Sequence, residues 1–260
     1  MRFGVREVRI PVLEDGKLAY HLPFEIVGPS SWRELHEVNY GINPENGSLL
    51  RRQTFPEAIR LVTFALNHRK DKRFEPVIEA LHTYGVTADT LDLWTPQGLY
   101  GVDHPKGLIE QLGKNDQKKL RRIQSELDTR LSGASGKKVI TSEDGLVRFT
   151  HRDNITYNES RNVFGRNSGL IVHAGTGKDA RDLAKASKAY RFKPAFYGFE
   201  KKDKLFVGVP DVYSCGFVGW LIVDGYGFHV DGVRCSFGVS ETAEGGAPEN
   251  TSQDKSGERK

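Results

Sequence analysis

Val8, Ile10 and Val12 alternate with charged or imino residues near the start of the chain, and Glu14-Asp15-Gly16 follows as a turn. A period of two marks a strand with one buried face, so residues 2–12 and 18–27 read as a strand pair. Gly28-Pro29-Ser30-Ser31 then leads into a short amphipathic segment, Trp32 to Val38. The period changes at Thr54. Thr54-Phe55-Pro56-Glu57 sets a hydroxyl and a carboxylate three residues apart around a proline, an arrangement that closes the first turn of a helix. Phe55, Ile59, Val62 and Leu66 fall on one side of it. A second helical stretch, Phe74 to Tyr84, stops at Gly85. Residues 86–105 are aromatic and rich in Gly and Pro, and they read as a packed loop. Leu120, Ile123, Leu127 and Leu131 recur at helical spacing between Asp116 and Leu131, before the flexible link Ser132 to Gly136.

Beyond residue 137 short apolar runs dominate. Val139–Thr141, Leu146–Thr150, Leu170–His173, Ala195–Phe199, Leu205–Val209, Phe217–Val223 and Phe228–Val239 are all predicted strands. One helix, Lys178 to Tyr190, interrupts them, with Thr176 as its cap. The pattern predicts an α+β chain in four parts: an N-terminal α+β lobe (1–105), a helical insertion (106–136), a β-rich lobe (137–240) and a disordered tail (241–260).

Charge changes this picture. The net charge of +4 is modest, but the tail carries −2 and leaves +6 on the body. That charge sits in blocks. Arg51 to Arg73 has seven basic against two acidic residues, while Lys106 to Lys138 and Lys178 to Lys204 each have nine against four. Blocks of this kind suit a polyanion, because each Lys or Arg near a phosphate releases condensed counterions. Lys118, Lys119, Arg121 and Arg122 crowd the first turns of the helix beginning near Asp116 and are candidate nucleic-acid contacts. The longest apolar runs are far short of the ~18–20 residues that span a bilayer, so no membrane partner is expected. The two cysteines, Cys215 and Cys235, lack metal-ligand spacing, and Met1 to Arg6 opens no apolar leader, so the expectation is a cytoplasmic protein.

His151-Arg152-Asp153 with Asn158 matches four positions of the kinase catalytic loop, but the glycine-rich loop, strand lysine and DFG turn are missing, which excludes a kinase. Ala174-Gly175-Thr176-Gly177-Lys178 lacks the first glycine of a phosphate loop; it is either an anion-binding turn at a helix start or a plain strand-to-helix turn. With His173 it is also similar to the His-Gly-Ser/Thr entry of ADP-ribosyltransferases, for which Tyr197 and Glu241 would be the later partners. Glu200-Lys201-Lys202 could be half of a metal-dependent nuclease site, with Asp179 or Asp182 as its partner.

The stretch from Asp224 to Ser240 is the most unusual. Gly225, Gly227, Gly232 and Gly238 interleave with aromatic and apolar residues. Glycine weakens a strand unless a bulge or a close approach needs it. Bare amides can reach phosphate oxygens and aromatics can stack bases, so Gly225, Gly227, Gly232 and Arg234 join the candidate contacts. This stretch resembles the glycine-rich C-terminal loop of the endonucleases that process CRISPR repeat RNA. Ser236-Phe237-Gly238-Val239-Ser240 is similar to the Ser-Tyr-Gly-Leu-Ser pattern that closes one branch of them. The resemblance implies ferredoxin-like antiparallel sheets with residues 106–136 as a basic helical insertion. It also implies an RNA hairpin as substrate and cleavage without metal or cofactor, the RNA's 2′-hydroxyl attacking the backbone. It further implies a general-base histidine after the first helix. His36 matches, with Tyr40, Arg51 and Arg52 nearby in sequence, and His229 is a second candidate. Two other classes stay open: a non-catalytic nucleic-acid-binding subunit of a ribonucleoprotein, and a DNA-acting defence or phage enzyme that would need acidic residues and a metal.

Overall fold

The computed structural model describes residues 18–27, 51–83, 85–157, 161–199, 203–215, 219–225 and 233–241. The elements run β1 (Leu18–Val27), β2 (Arg51–Arg52), α1 (Phe55–Asn67), α2 (Glu75–Thr83), β3 (Val86–Thr87), β4 (Thr90–Trp94) and β5 (Gly98–Asp103). Then come α3 (Lys106–Ile109), α4 (Gln117–Arg130), β6 (Ile140–Thr141), β7 (Val147–His151), α5 (Arg161–Phe164), α6 (Ser168–Ala174) and α7 (Gly177–Ala189). Five strands complete it: β8 (Lys193–Tyr197), β9 (Phe206–Gly208), β10 (Asp211–Cys215), β11 (Trp220–Asp224) and β12 (Val233–Glu241). The chain is α+β.

Two sheets organise these elements. The first has seven strands in the order β1-β12-β3-β10-β11-β8, with β2 paired to β12 off that path. Its pairs are antiparallel except β12 with β3 and β11 with β8. The second has five antiparallel strands, β6-β7-β5-β4-β9. Both sheets draw strands from either side of the 106–136 helices, so segments 1–105 and 137–240, expected as separate lobes, share their cores. Helices α1, α2, α6 and α7 bury apolar faces with the seven-stranded sheet. Helix α4 covers the five-stranded sheet with Leu120, Leu127 and Leu131. Among the described residues no helix is long and apolar enough to cross a membrane.

The strands of the five-stranded sheet are buried on both faces. Leu91 and Leu93, Tyr100 and Val102, and Val147 and Phe149 meet α4 on one face. The alternate positions Asp92, Asp103, Arg148 and Thr150 are buried as well. Buried charge must be paired. Arg148 Nη1 and Nη2 donate to the two carboxylate oxygens of Asp103 at 2.7 and 2.9 Å, and its Nε donates to the Val172 carbonyl of α6 at 2.6 Å. His173 Nε2, also on α6, is hydrogen-bonded with Asp92 Oδ2 at 2.7 Å. Gly101 completes the fit, since a Cβ there would lie 2.8 Å from Val172 Cγ1.

This layer explains two departures from the pattern. Residues 86–105, read as a packed loop, form β3, β4 and β5; their polar residues point inward to partners from other elements, which hides the alternation. Leu170–His173, read as a strand, lies in α6, a short helix buried nearly all round and capped by the Asn167 side chain on Gly169 N. Strand β10 forms where the sequence pattern predicts none. The caps at Thr54 and Thr176 form where the sequence places them, and Asp116, read as the first residue of its helix, caps α4.

Replacing Arg148 by Ala would leave the Asp103 carboxylate buried without its main partner. The expected cost is about 3–5 kcal/mol of stability, read as a lower midpoint in urea unfolding followed by circular dichroism.

Candidate functional site

Helices α1 and α7 lie side by side and run in the same direction. Near their starts Arg60 Nε pairs with Asp179 Oδ2 at 3.2 Å, and at their ends Arg69 Nη1 donates to the Ala189 carbonyl at 3.1 Å. This packing brings two basic blocks together across more than a hundred residues of chain. Arg69 of the first block reaches the end of α7 in the third, and Arg69, Lys70 and Lys72 on one segment and Lys188, Arg191 and Lys193 on the other all have exposed side chains. The Arg69 guanidinium sits 5.2 Å over the Tyr190 ring, which stacks on Phe192 at 4.6 Å and 26°. His82 packs edge-on against Phe192 at 5.9 Å, and burial pulls its imidazole pKa down. Cations at helix C-termini also complement the carbonyl end of the dipole, so this patch is electrostatically favourable for the fold itself.

The second basic surface is different. Lys118, Lys119, Arg121 and Arg122 are exposed on α4, whose cap Asp116 Oδ1 accepts from the Lys118 and Lys119 amides at 3.0 and 3.3 Å. Arg122 makes a solvent-exposed pair with Glu126 at 3.4 Å, of a kind that contributes little. Here the cations sit at the positive end of the helix, where the dipole disfavours them. The fold gains nothing from them there, and an anionic partner would offset their repulsion.

The remaining predicted residues are placed as follows. Arg51 Nη1 and Nη2 donate to both Glu57 carboxylate oxygens at 2.8 and 2.6 Å. The Glu57 carboxyl, despite its burial, is held below the usual range by Arg51 and by the Thr54 cap. Arg52 is buried, with its Nε donating to Ser236 Oγ at 3.2 Å, which ties β2 to β12. Arg234 lies in β12 in register with Ile26. Gly225 ends β11. Its amide donates to the Tyr197 carbonyl at 3.0 Å and its carbonyl accepts from Trp94 Nε1 at 2.7 Å. A Cβ there would lie 2.8 Å from both Asp92 Oδ2 and His173 Cε1, so the close approach that required a glycine is made by the buried Asp92–His173 pair. His36, Tyr40, Gly227, His229 and Gly232 lie outside the described residues. Gly225 belongs to the joint between the sheets, whereas α4 sits over the other face of the five-stranded sheet.

The other motifs resolve into structural parts. Gly175 adopts φ +80°, and Thr176 caps α7, so 174–178 is a helix-to-helix turn. Asp182 pairs with Lys178 and Lys185 at 3.1 and 3.2 Å. His151 ends β7, and Arg152 is buried with its Nε on the Thr95 carbonyl. Glu200-Lys201-Lys202 lies outside the described residues. Among the described residues no cluster of three or more His, Cys, Asp or Glu side chains is placed to hold a metal. Cys215 is a free thiol. Tyr157 and Tyr197 are the large hydrophobic side chains exposed among the described residues; the sequence points to Tyr197 only as a partner for His173 and does not single out Tyr157, because nothing in the pattern marks an aromatic that packing will leave in solvent.

No protein-family model matches the chain, and no curated protein matches it. A solved structure described by the words "Accommodation of massive sequence variation in Nanoarchaeota by the C-type lectin fold" is similar at 12% identity, covering 84% of this chain and 96% of that chain with a TM-score of 0.47. Similarity at that level assigns neither a fold family nor a function.

Arg51 adjoins a titratable pair. His104, at φ +50°, has its Nδ1 2.6 Å from Asp89 Oδ2, and this hydrogen bond holds the imidazolium pKa above its ordinary value. A raised pKa stabilises the folded protein fully below the ordinary histidine value of about 6.5 and loses that contribution as pH rises through the folded value. Unfolding free energy measured against pH should therefore fall above about pH 6.5, and Asp89→Asn should flatten that fall.

Proposed function

We propose that the protein binds structured RNA through its phosphate backbone, using the basic patch at the ends of α1 and α7 and the cationic first turns of α4. The observation that carries this reading is the convergence of two basic blocks, distant in sequence, into one exposed patch. The cations on α4 add to it, because they stand at the helix end where the fold disfavours them. RNA is preferred over DNA because of the glycine and aromatic run of residues 224–240 and its resemblance to the loop of CRISPR repeat-processing endonucleases. The narrower reading is a metal-independent endoribonuclease with ferredoxin-like sheets, His36 or His229 as general base and Tyr40 beside it. That reading is supported by the sequence of residues 224–240 alone.

Gel-shift and cleavage assays with labelled RNA hairpins, single-stranded RNA and duplex DNA, with and without EDTA, test it. EDTA-insensitive cutting at the base of a hairpin supports the endoribonuclease. Binding without cutting favours a ribonucleoprotein subunit, and cutting of DNA that EDTA abolishes favours the DNA-acting enzyme. If no nucleic acid binds at low salt, the proposal fails.

Each phosphate contact contributes about 0.7–0.9 to the slope of log affinity against log salt. Changing Lys70, Lys188 and Lys193 together to Gln should therefore reduce that slope by about two. Arg121→Glu with Arg122→Glu should weaken binding roughly 10-fold or more at about 0.1 M salt. Unchanged slope and affinity in a variant remove its surface from the interface.

A further inference from the structure

We propose that His104, its ring fixed by Asp89, is the general acid that protonates the 5′-oxygen leaving from a cleaved RNA phosphodiester. This inference rests on the endoribonuclease reading above, which names a base for the 2′-hydroxyl and leaves the departing oxygen without a proton source. An alkoxide is a poor leaving group, so cleavage without a metal needs an acid at that position.

The histidines sort by their partners. His68 stacks on Phe64 with ring centroids 3.9 Å apart, and its Nδ1 lies 2.9 Å from the Phe64 carbonyl of α1. His82 bonds Ser214, and burial pulls its pKa down. His151 packs edge-on against Phe149. His173 has a carboxylate partner but no exposure. His104 combines what the others hold apart. Its side chain is 35% exposed, and its Nδ1 lies 2.6 Å from Oδ2 of Asp89, whose own side chain is 7% exposed. Among the described residues the ring has this one partner, which leaves Nε2 open.

The backbone serves the same end. His104 stands at φ +50°, a left-handed conformation that is costly for a residue with a side chain. Its amide donates to the Asp89 carbonyl at 3.0 Å, so Asp89 grips main chain and ring together. The Asp89 amide in turn donates to the Gln53 carbonyl at 2.7 Å, directly after the β2 strand that carries Arg51. Strain held in place at a titratable, half-exposed side chain is characteristic of functional positions.

Asp89 holds the imidazolium above its ordinary pKa against the effect of burial; Asp103, bound to Arg148, adds to the rise, and Arg51 opposes it. In the imidazolium both ring nitrogens carry protons. Nδ1–H stays on Asp89, and Nε2–H is available for transfer. Arg51, paired with Glu57 at 2.6 Å, stands close enough for its charge to be felt at His104. A phosphate settling beside both cations would relieve their repulsion. As the 2′-oxygen forms its bond to phosphorus, the bond from phosphorus to the 5′-oxygen breaks. The 2′ proton passes to the general base, and the 5′-oxygen takes the Nε2 proton. The products are a 2′,3′-cyclic phosphate and a 5′-hydroxyl, and His104 recovers its proton from water.

The test uses the full chain and two RNA hairpins with the same cut site, one with the natural 5′-oxygen and one with sulfur in its place. Sulfur leaves as a thiolate and needs no acid. At single turnover His104→Gln should cut the natural linkage about 100-fold or more slower than wild type, and the sulfur linkage within about 3-fold of it. The wild-type rate on the natural linkage should fall as pH rises through the His104 pKa. Asp89→Asn, which keeps the ring and removes its partner, should begin that fall at lower pH. An undiminished rate of His104→Gln on the natural linkage overturns the assignment and leaves the endoribonuclease reading standing. Equal losses on both linkages, in a variant that binds the hairpin like wild type, also overturn it. If His104→Gln no longer binds the hairpin, Asp89→Asn decides, and an unmoved pH dependence overturns the assignment. Wild type that binds the hairpin and cuts neither linkage removes the endoribonuclease reading and the role of His104 together.

Discussion

The ion pair between Arg148 and Asp103, with side chains 3% and 6% exposed, is the joint on which the rest of the structure depends. Neither charge could stay in the interior alone, because desolvation costs several kcal/mol per ion. Bidentate geometry and additional partners make the placement tolerable. Thr90 Oγ1 donates to Asp103 Oδ1 at 2.6 Å and accepts from the Phe55 amide at 2.8 Å. A continuous chain of bonds therefore runs from β7 through β5 and β4 to the first turn of α1. Because Arg148 also holds the Val172 carbonyl, the same joint orients α6. The helices that carry the basic patch are set against the five-stranded sheet by polar bonds as well as by apolar contact.

Asp92 and His173 form the second half of this layer. Both side chains have no exposure, and burial raises the Asp92 pKa, with the nearby Asp224 carboxylate adding to the same effect. Phe55 meets the His173 ring edge-on at 5.4 Å, so the pair sits in an aromatic enclosure closed to bulk water. Its role is positional: it seats Gly225 and, through the Tyr197 carbonyl, the end of β8. A histidine and an aspartate in contact suggest acid–base chemistry on paper. Their complete enclosure makes this pair a fastening instead.

Local signals in the sequence were legible where one side chain meets its own backbone. Thr54 with Glu57, Asp116 and Thr176 each mark a helix start because their partners lie within three residues. Signals that need a distant partner were not legible. Asp92 and Asp103 look out of place in a buried strand until His173 and Arg148 arrive from elsewhere in the chain. Leu170 to His173 reads as a strand because a short apolar run has no period to betray a helix buried nearly all round. The candidate surface divides in the same way. The α4 cations were visible as a run, the meeting of Arg69 with Ala189 was not, and the exposure of Tyr157 and Tyr197 is a property of packing alone.

The pairing of β1 with β12 has a consequence for how the molecule is made. Leu18 stands opposite Glu241 and Val27 opposite Val233, so this edge of the larger sheet joins segments about 200 residues apart. During synthesis β1 waits without its partner while the residues between the two strands are translated, at roughly 5–20 residues per second. Closing so long a loop raises the contact order and slows folding. Helices α1, α2 and α7 can form earlier, but the sheet they cover is complete only when β12 leaves the ribosome. Until then β1 has unpaired amides and carbonyls along an edge that other chains could join, and a chaperone that shields this strand would raise the yield of folded protein more than one that shields the five-stranded sheet.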